Sequence, residues 1–193
     1  AAALDTDLDG LPDQWNVSCD STCQSASGLI LDNMPGDTDN DGISNQDDED
    51  DNNDGVVDAD VDSDGLIDIA TLAELDAVRH SLAGEGQRLS ADGVLDTSGC
   101  PQVPVSGVLQ ARCHGYELVA DLDFDTNGDG DLDSSDNYWN GGEGWQPLGS
   151  YSNSFTSVFH GNGHRIRNLM IARSVTLDHG LFGAISNASI QEL

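Results

Sequence analysis

Lysine is absent from this chain, and its six arginines and five histidines stand against 36 acidic side chains among 193 residues, a formal charge of −30. A surface so acidic repels a phosphate backbone, which excludes a nucleic-acid partner. Aromatic residues are only 5% of the sequence and methionine occurs twice, leaving little bulky apolar matter for a large core. No apolar run reaches the ~18 residues of a membrane helix, so no transmembrane segment is expected. Nor is there a signal segment: Ala1-Ala2-Ala3 reads as the residue of a signal peptide already removed. No Ser-His-Asp or Cys-His arrangement can be defended, and the chain is expected not to be an enzyme.

What the chain has in abundance is aspartate at a fixed spacing. Asp37, Asp39 and Asp41 precede Gly42; Asp50, Asn52 and Asp54 precede Gly55; Asp60, Asp62 and Asp64 precede Gly65. Calcium is a hard cation that takes six to eight oxygens, and a loop of ~12 residues supplies them from positions 1, 3, 5, 7 (a carbonyl), 9 and 12, with glycine at 6. Counting from Asp37 places the Ile43 carbonyl at 7, Asn45 at 9 and Asp48 at 12. The loop at 50–61 continues with the Val56 carbonyl and Asp58, and the loop at 60–71 with the Leu66 carbonyl and Asp68. Position 12 in these two is Val61 and Thr71, so neighbouring carboxylates or water must complete the shell, and Asp58 and Asp60 are placed to serve adjacent ions. A further loop at 5–16 offers Asp5, Asp7, Asp9, the Leu11 carbonyl and Asp13. The most complete loop, 125–136, offers Asp125, Asn127, Asp129, the Asp131 carbonyl, Asp133 and Asp136. The expected cofactor is therefore Ca²⁺, about five ions if each loop takes one.

The alternative for such a run is a solvated acidic linker, but a linker has no reason to place oxygens on alternate residues with glycine at one offset. Asp37 to Asp68, with Asp5-Thr-Asp-Leu-Asp-Gly-Leu-Pro-Asp13 upstream, resembles the thrombospondin type 3 calcium repeats. That resemblance implies a chain wrapped around a string of ions in place of an apolar core. Residues 1 to 68 hold twenty of the acids and no arginine, so a boundary is drawn there: a calcium-binding repeat region at 1–68 and a second unit at 69–193. Folding of the first unit should be coupled to calcium.

Four cysteines allow three pairings; proximity favours Cys19 with Cys23 and Cys100 with Cys113, which implies an oxidising, extracellular setting. In the second unit, Thr71-Leu-Ala-Glu74 is a capping box, and Leu72, Leu75, Val78 and Leu82 follow at helical spacing, predicting a helix over 71–82. Residues 87–115 read as loop, and Tyr116 to Phe124 alternates as a strand. Ser157-Val158-Phe159 aligns with Gly180-Leu181-Phe182, and Ile166 to Leu169 with Ile190 to Leu193, a repeat length that points to a solenoid. Phe155, Phe159, Ile166, Leu169, Ile171, Leu181, Phe182, Ile185 and Ile190 are the core candidates.

Phe159-His-Gly-Asn-Gly-His-Arg-Ile-Arg-Asn-Leu-Met-Ile171, followed by Gly180-Leu-Phe-Gly183, resembles the GLUG repeat of large bacterial surface proteins. The expected fold class is accordingly mainly β: irregular calcium-wrapped repeats, then a right-handed parallel β-helix with one short capping α-helix. Leu193 falls partway through a coil, so either a longer chain or another subunit is expected to cover it. His160 and His164 flank a glycine-rich turn and are read as structural; Arg165, Arg167 and Arg173 could be cast as the arginines of a polysaccharide-cleaving β-helix, but about three coils are too few to build a long substrate groove.

The function expected is an extracellular calcium-binding structural module of a bacterial surface adhesin or matrix protein, self-associating. The alternative is a filament protomer joined end to end through the open coil and the calcium-rich front. More remote is a β-helix that binds or cleaves polysaccharide with calcium. Expected partners are copies of itself or adjoining domains of a longer chain. Should a glycan or surface ligand bind, Tyr138, Trp139, Trp145 and Tyr151 are the aromatic candidates.

Overall fold

The computed structural model describes residues 3–4, 14–27, 43–50, 55–174 and 179–193. At the front, β1 (Ala3–Leu4) pairs antiparallel with β2 (Gln14–Trp15). A short helix, α1 (Ser21–Ser27), begins where the Asp20 carboxylate accepts from the amides of Thr22 and Cys23, at 3.1 and 3.0 Å. The sequence expectations place no helix here; the Asp20 cap is the signal for it.

The centre of the molecule is a four-stranded, all-parallel sheet. Its first strand is β3 (Leu66–Ile69), which leads at once into α2 (Leu72–Ala77). The capping box forms as expected: Thr71 Oγ1 accepts from the Glu74 amide at 3.2 Å, and Glu74 accepts from the Thr71 amide at 2.8 Å. The helix is shorter than its apolar spacing implied, because Val78–His80 tighten into a 3₁₀ turn, yet Leu75, Val78 and Leu82 are all buried as that spacing required.

A hairpin follows, β4 (Gln102–Val105) and β5 (Val108–Ala111), antiparallel and joined by a Ser106-Gly107 turn in which both residues have positive φ. Then come β6 (Gly115–Leu118), β7 (Leu122–Asp123), β8 (Val158–His160), β9 (Ile166–Arg167) and β10 (Ser189–Gln191). Sheet order is β10-β8-β6-β3, and β7 pairs separately with β9, also parallel. The strand expected over Tyr116 to Phe124 is thus split at a bend in Val119–Ala120, and its two halves join different sheets.

Register fixes which side chains meet. Ile67, Tyr116, Phe159 and Ile190 share one row, facing a core that includes Ile69, Leu118, Phe155 and Trp145, all but Ile190 buried to within 2%. Each side chain buried so fully contributes roughly 1.5–3 kcal/mol. Of the core candidates, Phe155 and Phe159 are fully buried; Ile166, Leu169, Ile171, Leu181, Phe182 and Ile190 pack partly against the core. Ile185 does not belong, being 54% exposed.

The parallel β-helix expectation is overturned. The described residues form small sheets of mixed sense, with strands of two to four residues, and no closed solenoid is evident among them. The repeat behind that expectation is not the pairing register. Phe159 lies opposite Ile190, while Phe182, its counterpart in the sequence alignment, bridges to Leu148 and meets Phe159 only through an edge-on ring contact at 5.2 Å. Glycine and asparagine punctuate any tight connection, so their recurrence marked turns and not coils. No described helix is long and apolar enough to cross a membrane.

Candidate metal centre

Three of the aspartate loops share one internal frame. The first carboxylate accepts from the amide of the glycine five residues on: Asp50 from Gly55 at 2.7 Å, Asp60 from Gly65 at 2.8 Å, Asp125 from Gly130 at 3.0 Å. Those glycines have φ of 86°, 96° and 90°, a left-handed turn that other residues enter at a cost. In the loops at 60 and 125 the next two oxygen-bearing residues brace the amide two places on: Asp62 to Asp64, Asp64 to Leu66, Asn127 to Asp129 and Asp129 to Asp131. The alternation read from the sequence is thus a loop whose side-chain oxygens brace its own backbone amides.

Among the described residues, carboxylates converge most closely in the loop at 60–71. Oxygens of Asp60, Asp62 and Asp64 all lie within 4.8 Å of one another. Asp60 is fully buried, whereas Asp62 and Asp64 face solvent. Burial, and then the charges of Asp64, Asp62 and Asp68, push the Asp60 carboxyl up to about 7 against the opposing Gly65 amide. Asp68 is raised for the same first reason, although the Val61 amide donates to it at 2.9 Å. All donors are oxygens, the set a hard divalent cation takes. Cys100 and Cys113 also come within ligand reach of Asp60, but their sulfurs are joined in a disulfide and offer no thiolate.

Because β3 starts inside this loop, the sheet carries its chemistry sideways. Asp68 lies opposite Glu117 on β6, Glu117 opposite His160 on β8, and His160 opposite Gln191 on β10. Glu117 is 5% exposed; burial pushes its carboxyl up to about 7, with Asp64, Asp68 and Asp62 adding to the rise. The Asn162 amide donates to it and also contacts His160, so the turn at 161–163 closes over the row. Glu117 was missed from sequence, since a lone glutamate in a strand carries no spacing signal and only the register brings it to the loop.

The loop at 125–136 is arranged differently. Asp136 accepts from the amides of Thr126 at 2.7 Å and Asp133 at 3.0 Å, and Asp133 from Ser135 at 2.7 Å, which hold both carboxyls below the ordinary range. Among the described residues, no three of its acids approach as closely as those at 60–64. The loop ends against Tyr138, held at φ 64°, which packs with Phe124 and Trp145 at 5.9 and 5.7 Å. Arg79 lies over Trp145 at 5.2 Å, and Trp145 donates to the Leu181 carbonyl. These rings are occupied with packing, while Tyr151 is 94% exposed.

Of the other candidates, Asp5, Asp7, Asp9, Leu11, Asp13, Asp37, Asp39, Asp41, Asn52 and Asp54 lie outside the described residues. Asp48 braces the Asp50 amide at 3.0 Å, Asp58 is buried, and Ile43 and Val56 are exposed. Both disulfides form as paired by proximity, Cys19–Cys23 and Cys100–Cys113. The second packs against the loop: Cys113 Sγ lies 3.3 Å from Asp60 Oδ2. Arg165, Arg167 and His164 converge on Asp121, through the Arg165 amide at 3.0 Å, the Arg167 guanidinium at 2.8 Å and His164 at 3.4 Å. That is a structural clasp between β7 and β9.

An alignment over 130 positions that covers 60% of this chain is 32% identical to halomucin of Haloquadratum walsbyi. The chain spans about 1% of the length of that curated relative. No protein-family model matches the chain, and no solved structure matches it.

Proposed function

We propose that this chain is an extracellular, calcium-binding structural module whose acidic loops fold around ions and stiffen a scaffold of small sheets. The supporting observation is the frame shared by the loops at 50, 60 and 125, in which the first carboxylate is held by the amide of the glycine five residues on. One ion would be held by Asp60, Asp62, Asp64, the Leu66 carbonyl and Asp68, and another by Asp125, Asn127, Asp129, the Asp131 carbonyl, Asp133 and Asp136. The ion's part is electrostatic, offsetting the repulsion among carboxylates that burial has already made costly at Asp60. The likeness to thrombospondin type 3 repeats supports the choice of calcium. Two disulfides and the likeness to a small part of a halomucin support a place outside the cell, in a surface or matrix protein.

Calorimetric titration of chelator-stripped protein tests the reading. It predicts several calcium sites, little response to magnesium at equal concentration, and a melting temperature that climbs with calcium. No binding heat together with identical melting in calcium and chelator would refute it.

A further inference from the structure

The β4–β5 hairpin is a two-stranded sheet of its own, outside the four-stranded sheet. Pro101 to Ala111 contains no charged residue, in a chain whose formal charge is −30. Its apolar side chains are not buried: Val108 is 62% exposed and Leu109 44%. Its base is closed by the Cys100–Cys113 disulfide, and its turn is a tight two-residue one, so the hairpin is set in shape by its own bonds, with Ala111 at its foot packed partly against the core.

Hydrogen-bond phase shows which backbone groups it presents. The Arg112 amide donates to the Pro101 carbonyl, so the bonded pairs are Pro101/Arg112, Val103/Gln110 and Val105/Val108. The alternate pairs, Gln102/Ala111 and Pro104/Leu109, then turn their amides and carbonyls away from the hairpin. On the β4 side one of those positions is Pro104, which has no amide to donate. On the β5 side Leu109 and Ala111 each present a donor and an acceptor, and no described backbone group bonds to them. The hairpin therefore has one blunted edge and one open edge.

We propose that the β5 edge pairs antiparallel with the β5 edge of a second copy of this chain, about a two-fold axis at Gln110. Leu109 then exchanges both backbone bonds with Ala111 of the other copy, and the converse pair forms by symmetry. The two Gln110 side chains lie opposite each other across the axis, where one amide donates and the other accepts. The occupant is a second copy because this strand suits itself: it is uncharged, so two strongly acidic molecules meet here without carboxylate facing carboxylate, and its amide at the axis is self-complementary. Pro104 on the far edge stops growth, giving a closed four-stranded dimer and not an open-ended sheet. No carboxylate takes part, so the proposal is independent of the metal reading.

Sedimentation equilibrium in calcium and ~0.1 M sodium chloride, where a Debye length of about 10 Å damps the distant charges but leaves adjacent ones interacting, is the test, together with amide hydrogen exchange. The expected result is a concentration-dependent dimer in which the Leu109 and Ala111 amides gain protection as the dimer fills, while Val108 and Gln110 are protected throughout. Gln110→Glu, which sets two carboxylates face to face on the axis, should abolish the dimer with no change in melting temperature; Leu109→Pro, which blunts the open edge, should do the same to assembly. A protein that stays monomeric at millimolar concentration overturns the proposal, as does a dimer that survives Gln110→Glu with Leu109 and Ala111 still exchanging freely.

Discussion

Asp60→Asn should reverse the sign of its effect on stability when calcium is removed. In metal-free protein, burial raises the Asp60 carboxyl from its ordinary 3.8 to about 7. A group raised in this way favours the fold below the ordinary carboxylate range, and that contribution is lost as pH climbs through about 7. At pH 8 the buried charge therefore burdens the folded state, and at ~1.4 kcal/mol per unit the ceiling is ~4 kcal/mol. Asparagine removes the charge but accepts through one oxygen where aspartate braces the amides of Asp64 and Gly65 with two, a loss of ~1 kcal/mol. In chelator at pH 8 the variant should be the more stable by ~2–3 kcal/mol, and near pH 5 the gap should narrow because wild-type Asp60 is protonated. In calcium the order inverts, since asparagine is a poorer ligand than carboxylate at the first position of the loop. Urea melts of both proteins in calcium and in chelator, at pH 5 and pH 8, give the four comparisons. A variant that is less stable by the same amount with and without calcium would show that Asp60 serves only as a loop brace, and the argument for a metal at this loop would fail.

Gly99→Ala should be among the most damaging single changes: a Cβ there would lie 1.8 Å from the Asp60 carbonyl oxygen, at a φ of 70°, and circular dichroism melts should show a loss of several degrees. Replacing Cys100 and Cys113 by serine together opens a short loop, and chain entropy puts the cost at ~3 kcal/mol, readable by urea denaturation. Asp125→Ala removes the carboxylate that braces Gly128 and Gly130, so tryptophan fluorescence from the adjoining Trp139 and Trp145 should lose its calcium response while the rest of the fold persists. Phe159→Ala, emptying a fully buried site between Phe155 and Phe182, should cost ~3–5 kcal/mol in the same denaturation assay.

Local chemistry was legible in the sequence wherever a few neighbouring residues decide it. Thr71 and Glu74 close their capping box through bonds spanning three residues, and the glycines at 55, 65 and 130 occupy the turns their spacing demanded. Both cysteine pairs join near neighbours. Pairing between distant segments was not legible. Phe159 finds Ile190 and not Phe182 because connections of unequal length separate the strands, and periodicity cannot measure a connection. The hairpin escaped notice because Pro104 argues against a strand unless it falls at an outward, unbonded position, and that depends on phase. Glu117 is visible as part of the acidic group only through its register with Asp68.

β3 begins within the fourth aspartate loop and ends within the parallel sheet, with no spacer between them. Sequence drift in this protein should respect that junction. One added residue between Asp64 and Leu66 would invert the parity of the strand, sending Ile67 and Ile69 to the outer face and Asp68 into the apolar interior. Deletions and duplications should therefore accumulate in the turn of the hairpin and in the segment before β8, while the distance from Asp60 to Ile69 stays constant among descendants.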